Sequence, residues 1–218
     1  SAASDVYKRQ AKLGLISLLF AEAVGLFFGI LCAQFRGKWP DYLLMVVAVL
    51  GIALPSMVLG PILRMIFGVK LGILPVTGWG KTNQIILPAL VLGLGTVAGN
   101  TRNMRASMLA ITTQDYVKTA RAKGLSPIRV VLKHQFKNSL VPIIPNLGVQ
   151  IAGVLMGSFV VESMFLIPGL GRYFVDSVTN LDYPLIMGLT VFYGAFLVTM
   201  NLIVDVLYGL IDPRIRVK

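Results

Sequence analysis

The sequence predicts an all-α integral membrane protein, and three observations carry that prediction. Hydrophobic residues make up 56% of the 218-residue chain and charged residues 13%, against roughly a quarter charged in ordinary soluble domains. The apolar residues gather into runs, and a run of about 20 is what a helix needs to cross a bilayer. The formal net charge of +11 lies largely in short connections between and after those runs, as at the cytoplasmic ends of membrane helices. No basic and aromatic binding module accompanies it, so nucleic acid is excluded as a partner.

About five spans follow in chain order. Residues 1–10, SAASDVYKRQ, are polar and aperiodic, too short for a signal peptide, and are expected to be a non-native or disordered extension; the membrane domain is expected over 11–218. Leu13 to Ala33 is the first span. Tyr42 to Leu63 is the second, interrupted by Pro55 and Pro61, each of which removes a backbone hydrogen bond. Ile85 to Gly99 is apolar but short, so the third span either starts before Ile85 or continues through Asn100 to Met108. Leu140 to Val161 is the fourth and Leu185 to Leu210 the fifth.

Lys and Arg set the orientation. Arg102, Arg105, Lys118, Arg121, Lys123, Arg129, Lys133 and Lys137 fall in one connection, which therefore faces the cytoplasm. The loops Val69–Gln84 and Ser163–Pro184 then lie outside. This parity leaves Lys8, Arg9 and Lys12 outside as well, which is explained if one earlier span is missing from the chain.

The basic connection is also the main polar segment, Asp115 to Pro142, DYVKTARAKGLSPIRVVLKHQFKNSLVP. Asp115 is the expected N-cap of a first short helix, which Gly124 stops. Ser126 and Pro127 open a second, with Ile128, Val131, Leu132 and Phe136 on one side. Two short helices joined by a tight turn, pinned to the bilayer by flanking spans, make an elbow that a soluble partner can grip.

At these residues the chain resembles the membrane permease subunits of ABC importers, in the dipeptide, oligopeptide and nickel branch. The resemblance continues through ESMFLIPGLGRYFVDSVTNLDYPLI, Glu162 to Ile186, and ends in DPRIR, Asp212 to Arg216. The general EAA pattern of such permeases is matched only at Ala120 and Gly124: Lys118 and Thr119 replace its first Glu and Ala, and His134, Phe136 and Lys137 replace its later Ile, Leu and Pro. That departure favours the peptide and nickel branch over sugar or amino-acid importers. The resemblance implies a type I importer bundle with a cytoplasmic coupling helix, here Ala120, Arg121, Ala122, Lys123, Gly124 and Leu125. It implies two cytoplasmic ATPase subunits, a second permease subunit (homologous or identical) and an extracytoplasmic solute-binding protein, in a bacterial or archaeal inner membrane. By the same resemblance, ATP hydrolysis is expected in the separate subunits and this chain is not expected to be an enzyme.

Other constellations are weighed on their own chemistry. Small residues four apart, which let membrane helices approach closely, occur at Gly25 and Gly29, Gly95 and Gly99, and Gly153 and Gly157. Intramembrane polar residues are Glu22, Asn100, Gln150 and Asp205, with Glu162 near a span's outer end. Asn100, Gln150, Glu162 and Asp205 are candidates either to line the translocation path or to tie helices together. Arg64 and Lys70 read as snorkelling residues at the outer boundary. Gly80-Lys81-Thr82 is not a phosphate loop, because Pro75 stands where the first glycine belongs. With His134 as the only histidine and Cys32 as the only cysteine, no metal site, cofactor site or catalytic triad is expected. The competing reading, a secondary carrier or scaffold working without an ATPase, calls for an internally repeated hydropathy pattern, which is not visible.

Overall fold

The computed structural model describes residues 2–155 and 158–211, and every regular element among them is helical. The helices are α1 (Ala2–Gln34), α2 (Trp39–Ala53), α3 (Ser56–Leu63), α4 (Asn83–Thr112), α5 (Asp115–Ala122), α6 (Pro127–Arg129), α7 (Lys137–Leu140), α8 (Asn146–Leu155), α9 (Phe159–Phe165), α10 (Leu170–Thr179) and α11 (Tyr183–Ile211). Two π-helical segments, Arg64–Lys70 and Val130–Phe136, continue α3 and α6.

Among the described residues, α1 (from Lys8), α4, the α8–α9 stretch Asn146–Phe165 and α11 (through Val206) are each long and apolar enough to cross a membrane. The second expected span is not a single rod. Its two halves, Trp39–Ala53 and Ser56–Lys70, meet at an angle of 113°. Pro55 is the cause: the residue before a proline is driven from helical to extended backbone, and Leu54 sits at φ −89°, ψ 115°. The fourth span starts six residues later than expected, at Asn146, because Pro142 and Pro145 both lack the N–H that a helix needs there. Residues 2–10, expected as a non-native or disordered extension, are helical and continuous with α1.

α4 is the centre of the bundle. One face meets α1, where Gly25 lies so close that a Cβ added to it would stand 2.9 Å from the Val97 carbonyl oxygen; one added to Gly29 would stand 2.8 Å from that of Thr101. This first glycine pair therefore serves helix packing. The Gly95 and Gly99 pair does not do so within this chain, since nothing lies within 4 Å of an added Cβ at either. Gly153 is likewise open, and Gly157 lies outside the described residues. The apolar core of Leu13, Leu87, Val91, Val161, Phe165 and Ile167 closes one end of the bundle, and Met104, Met108 and Ile143 pack near the other.

Candidate functional site

The polar elbow is built on three buried side chains. Val117 and Ala120 on α5 pack against Val130 of the following helical segment, with Ile111 and Leu125 around them. Residues 118, 119 and 121–124 stay exposed, so α5 turns Lys118, Arg121 and Ala122 outward, and Lys123 follows, exposed, at its C-cap. Asp115 is not the N-cap; Gln114 is, and Asp115 is the first helical residue. Its carboxylate there meets Lys118 Nζ at 2.9 Å and opposes the positive end of the helix dipole.

The turn after α5 closes by paired reverse hydrogen bonds. Gly124 N–H donates to the Arg121 carbonyl (2.9 Å) and Leu125 N–H to that of Ala120 (3.4 Å). Gly124 takes φ +74°, a left-handed conformation in which glycine has no Cβ penalty. Space is not the constraint, because a Cβ there would meet nothing within 4 Å. Leu125 then packs on the Val117, Ala120 and Val130 cluster, fixing the exit direction of the chain.

The second arm opens as expected, with Ser126 at the N-cap and Pro127 at the first helical position, but its faces differ from an α-helical reading. Across Val130–Phe136 the backbone is π-helical, and the buried residues are Val130 and Gln135, five apart. Of the expected apolar side, Val131 and Phe136 pack against Met104, Met108 and Ile143, whereas Leu132 in the widened turn and Ile128 ahead of it are 58% and 73% exposed. His134 lies half-buried on this segment.

The four intramembrane polar candidates do not form one site. Asn100, fully buried, bridges two helices: its amide donates to Glu22 Oε1 of α1 and its oxygen accepts from Gln150 Nε2 of α8, both at 2.8 Å. Glu162 stands apart at the opposite end from the elbow, buried, where its Oε2 accepts the Arg172 N–H at 3.0 Å and so anchors the start of α10. Asp205 is exposed on α11 and joins neither group. The DPRIR stretch, Asp212 to Arg216, lies outside the described residues. Arg64, expected to snorkel, instead donates from Nη1 to the Met164 carbonyl at 2.9 Å. It thereby satisfies an orphan carbonyl at the C-terminal end of α9.

Sequence reasoning missed one group entirely. Asp41 of α2 is buried and takes a two-pronged bond from Arg105 of α4, Nε to Oδ1 and Nη2 to Oδ2, each 2.7 Å. A carboxylate near a helix start and an arginine in a basic stretch carry no mark of pairing. Among the described residues, no three His, Cys, Asp or Glu side chains are grouped to hold a metal ion.

Known proteins resemble this chain in sequence and in fold. Residues 25–217 fit the family described as "Binding-protein-dependent transport system inner membrane component". The dipeptide transport system permease protein DppB of Bacillus subtilis is 44% identical over 205 residues, 94% of this chain and 67% of that protein. The oligopeptide permease OppB of Haemophilus influenzae is 42% identical over 207 residues (94% and 68%). The glutathione permease GsiC of Escherichia coli K12 is 43% identical over 206 residues (94% and 67%). In fold, the chain superposes on a chain of the inward-facing MetNI methionine ABC transporter with TM-score 0.76 at 16% identity, covering 96% of this chain and 95% of that one. An amino acid ABC transporter gives 0.68, also at 16%, covering 95% and 94%. The chain is thus a multi-pass membrane protein and belongs to the family of binding-protein-dependent transport system inner membrane components.

Proposed function

We propose that this chain is the permease subunit of an ATP-driven importer of peptides or a related small solute, such as a nickel chelate, working by alternating access. Its relatives carry dipeptide, oligopeptide and glutathione permease names, which supports peptide-like cargo. In this reading two cytoplasmic ATPase subunits grip Ala120, Arg121, Ala122, Lys123, Gly124 and Leu125. A homologous or identical second permease subunit completes the path, and an extracytoplasmic binding protein delivers the solute. The membrane is a bacterial or archaeal inner membrane.

The observation that carries this reading is the elbow itself. A short helix with Val117 and Ala120 buried, a closed glycine turn, and Arg121 and Lys123 facing out can transmit a push without yielding. ATP-driven closure of the motor displaces that elbow, and the spans tilt with it. A carrier working alone has no need of an exposed, rigidly mounted helix between spans.

Gly124→Val tests this reading. A β-branched residue at φ +74° costs about 1–3 kcal/mol of local strain while meeting no neighbour. The variant is expected to insert and to bind its ATPases, while uptake per ATP hydrolysed falls by about tenfold, the scale of a 1–3 kcal/mol coupling energy. Unchanged uptake per ATP would overturn the assignment of the elbow.

A further inference from the structure

At the elbow end, three helix ends and the elbow meet in a set of part-buried polar ties. Both oxygens of Asp41 (2% exposed) are occupied: Oδ1 accepts from Arg105 Nε, and Oδ2 accepts from Arg105 Nη2 and from the Gly37 N–H at 3.0 Å. Gly37, at φ +71°, bends the α1–α2 connection so that this N–H reaches the carboxylate. Arg105 lies two helical turns before the end of α4, and α5 starts three residues after that end. At the last residue of α4, the buried Gln135 of the π segment donates to Thr112 Oγ1 at 3.0 Å, and it accepts from Gln34 Nε2 of α1 at 3.3 Å. Ser107 Oγ of α4 donates to the Ser139 carbonyl of α7 at 2.8 Å. The ends of α1, α2 and α4 are thus joined to one another and to the elbow's second arm.

Stability alone does not account for such a junction. Apolar residues of similar volume hold helices as well as a buried ion pair does or better, and the best-supported use of a buried pair is to specify one arrangement. A planar guanidinium bound on two atoms fixes orientation as well as distance. Here the arrangement fixed is that of α2 relative to α4. α2 leads to the 113° bend, and α4 leads to the elbow.

We propose that Asp41 and Arg105, supported by Gln135, are positioning residues for the transport stroke. They lock α1, α2 and α4 into one lever, so that displacement of α5 reaches the bent α2–α3 pair instead of being absorbed where the helices end. This inference rests on the coupling role proposed above for α5.

The test uses the complete transporter in nanodiscs with its ATPase subunits bound. Spin labels are placed at the exposed Val47 on α2 and Asn103 on α4, with a control lacking these two cysteines to show that the buried Cys32 stays unlabelled. In the wild-type background, the label-to-label distance is expected to be narrow and the same in the nucleotide-free and vanadate-trapped states. Asp41→Asn and Arg105→Gln should each lose that narrow distance, most clearly in the trapped state, while ATPase copurification and basal hydrolysis persist. The double variant should be no worse than either single one, because the two residues act through a single contact. A wild-type distance that changes on trapping, single variants that keep the narrow distance, or single-variant losses that accumulate in the double would each overturn the lever. Failure of wild-type permease to copurify with ATPase subunits would instead overturn the coupling reading beneath it.

Discussion

Gly25 and Gly29 hold α1 against the backbone of α4, and no other residue fits there. A methyl at Gly25 would stand 2.7 Å from Asn100 Cβ as well as against the Val97 carbonyl. Helix backbone cannot move aside locally, so the two helices must separate. Overpacking of this kind costs about 1–3 kcal/mol. Gly25→Ala and Gly29→Ala are therefore expected to lower the unfolding midpoint in detergent. Gly95→Ala and Gly99→Ala, which meet nothing, should leave it unchanged or raise it slightly through better helix propensity. Thermal unfolding followed by circular dichroism separates the two pairs, and equal midpoints for all four variants would contradict the packing. The four-residue spacing was visible in the sequence. Which pair faces a neighbour was not, because spacing defines a stripe on one helix without saying what lies opposite.

Whole elements were legible where one physical preference dominates. The long apolar runs became α1, α4 and α11, and Ser126-Pro127 and Gly124 ended or began helices where their backbone chemistry demands. The π-helical turn at Val130–Phe136 was not legible, since a shift from i+4 to i+5 bonding has no compositional mark. It changed which residues face inward. The anchor of α10 was not legible either. Glu162 holds the first turn of α10 through the Arg172 N–H, where a carboxylate also opposes the helix dipole. Glu162→Ala leaves buried backbone donors unpaired, at about 1–3 kcal/mol, and α10 should open more often as a result. Trypsin added from the loop side is then expected to cut after the exposed Arg172 faster than in the wild type, with Glu162→Gln between the two. Identical cleavage rates would show that α10 is held by its apolar face alone.

At the scale of the bundle, the ties that matter join residues 64 to 101 positions apart: Asp41 to Arg105, Glu22 to Asn100, and Gln34 to Gln135. No local pattern announces such pairs, so membrane polarity alone marked Asn100 and Gln150 as candidates for either of two roles. The geometry separates those roles in a way that can be measured. Asn100 is fully buried between α1 and α8, with both ends of its amide occupied. A residue lining an open path would keep one end free for solute or water. Asn100→Leu keeps the volume and removes both bonds, stranding Glu22 and Gln150 in a low-dielectric setting. Polar contacts between membrane helices contribute about 0.6 kcal/mol on average and reach about 1.7, so the loss of two should cost about 1–3 kcal/mol. The unfolding midpoint in detergent is expected to fall. Uptake per ATP hydrolysed should stay near the wild-type value at temperatures where the variant remains folded. A variant of normal stability whose uptake collapses would move Asn100 from the frame of the bundle to the wall of the path.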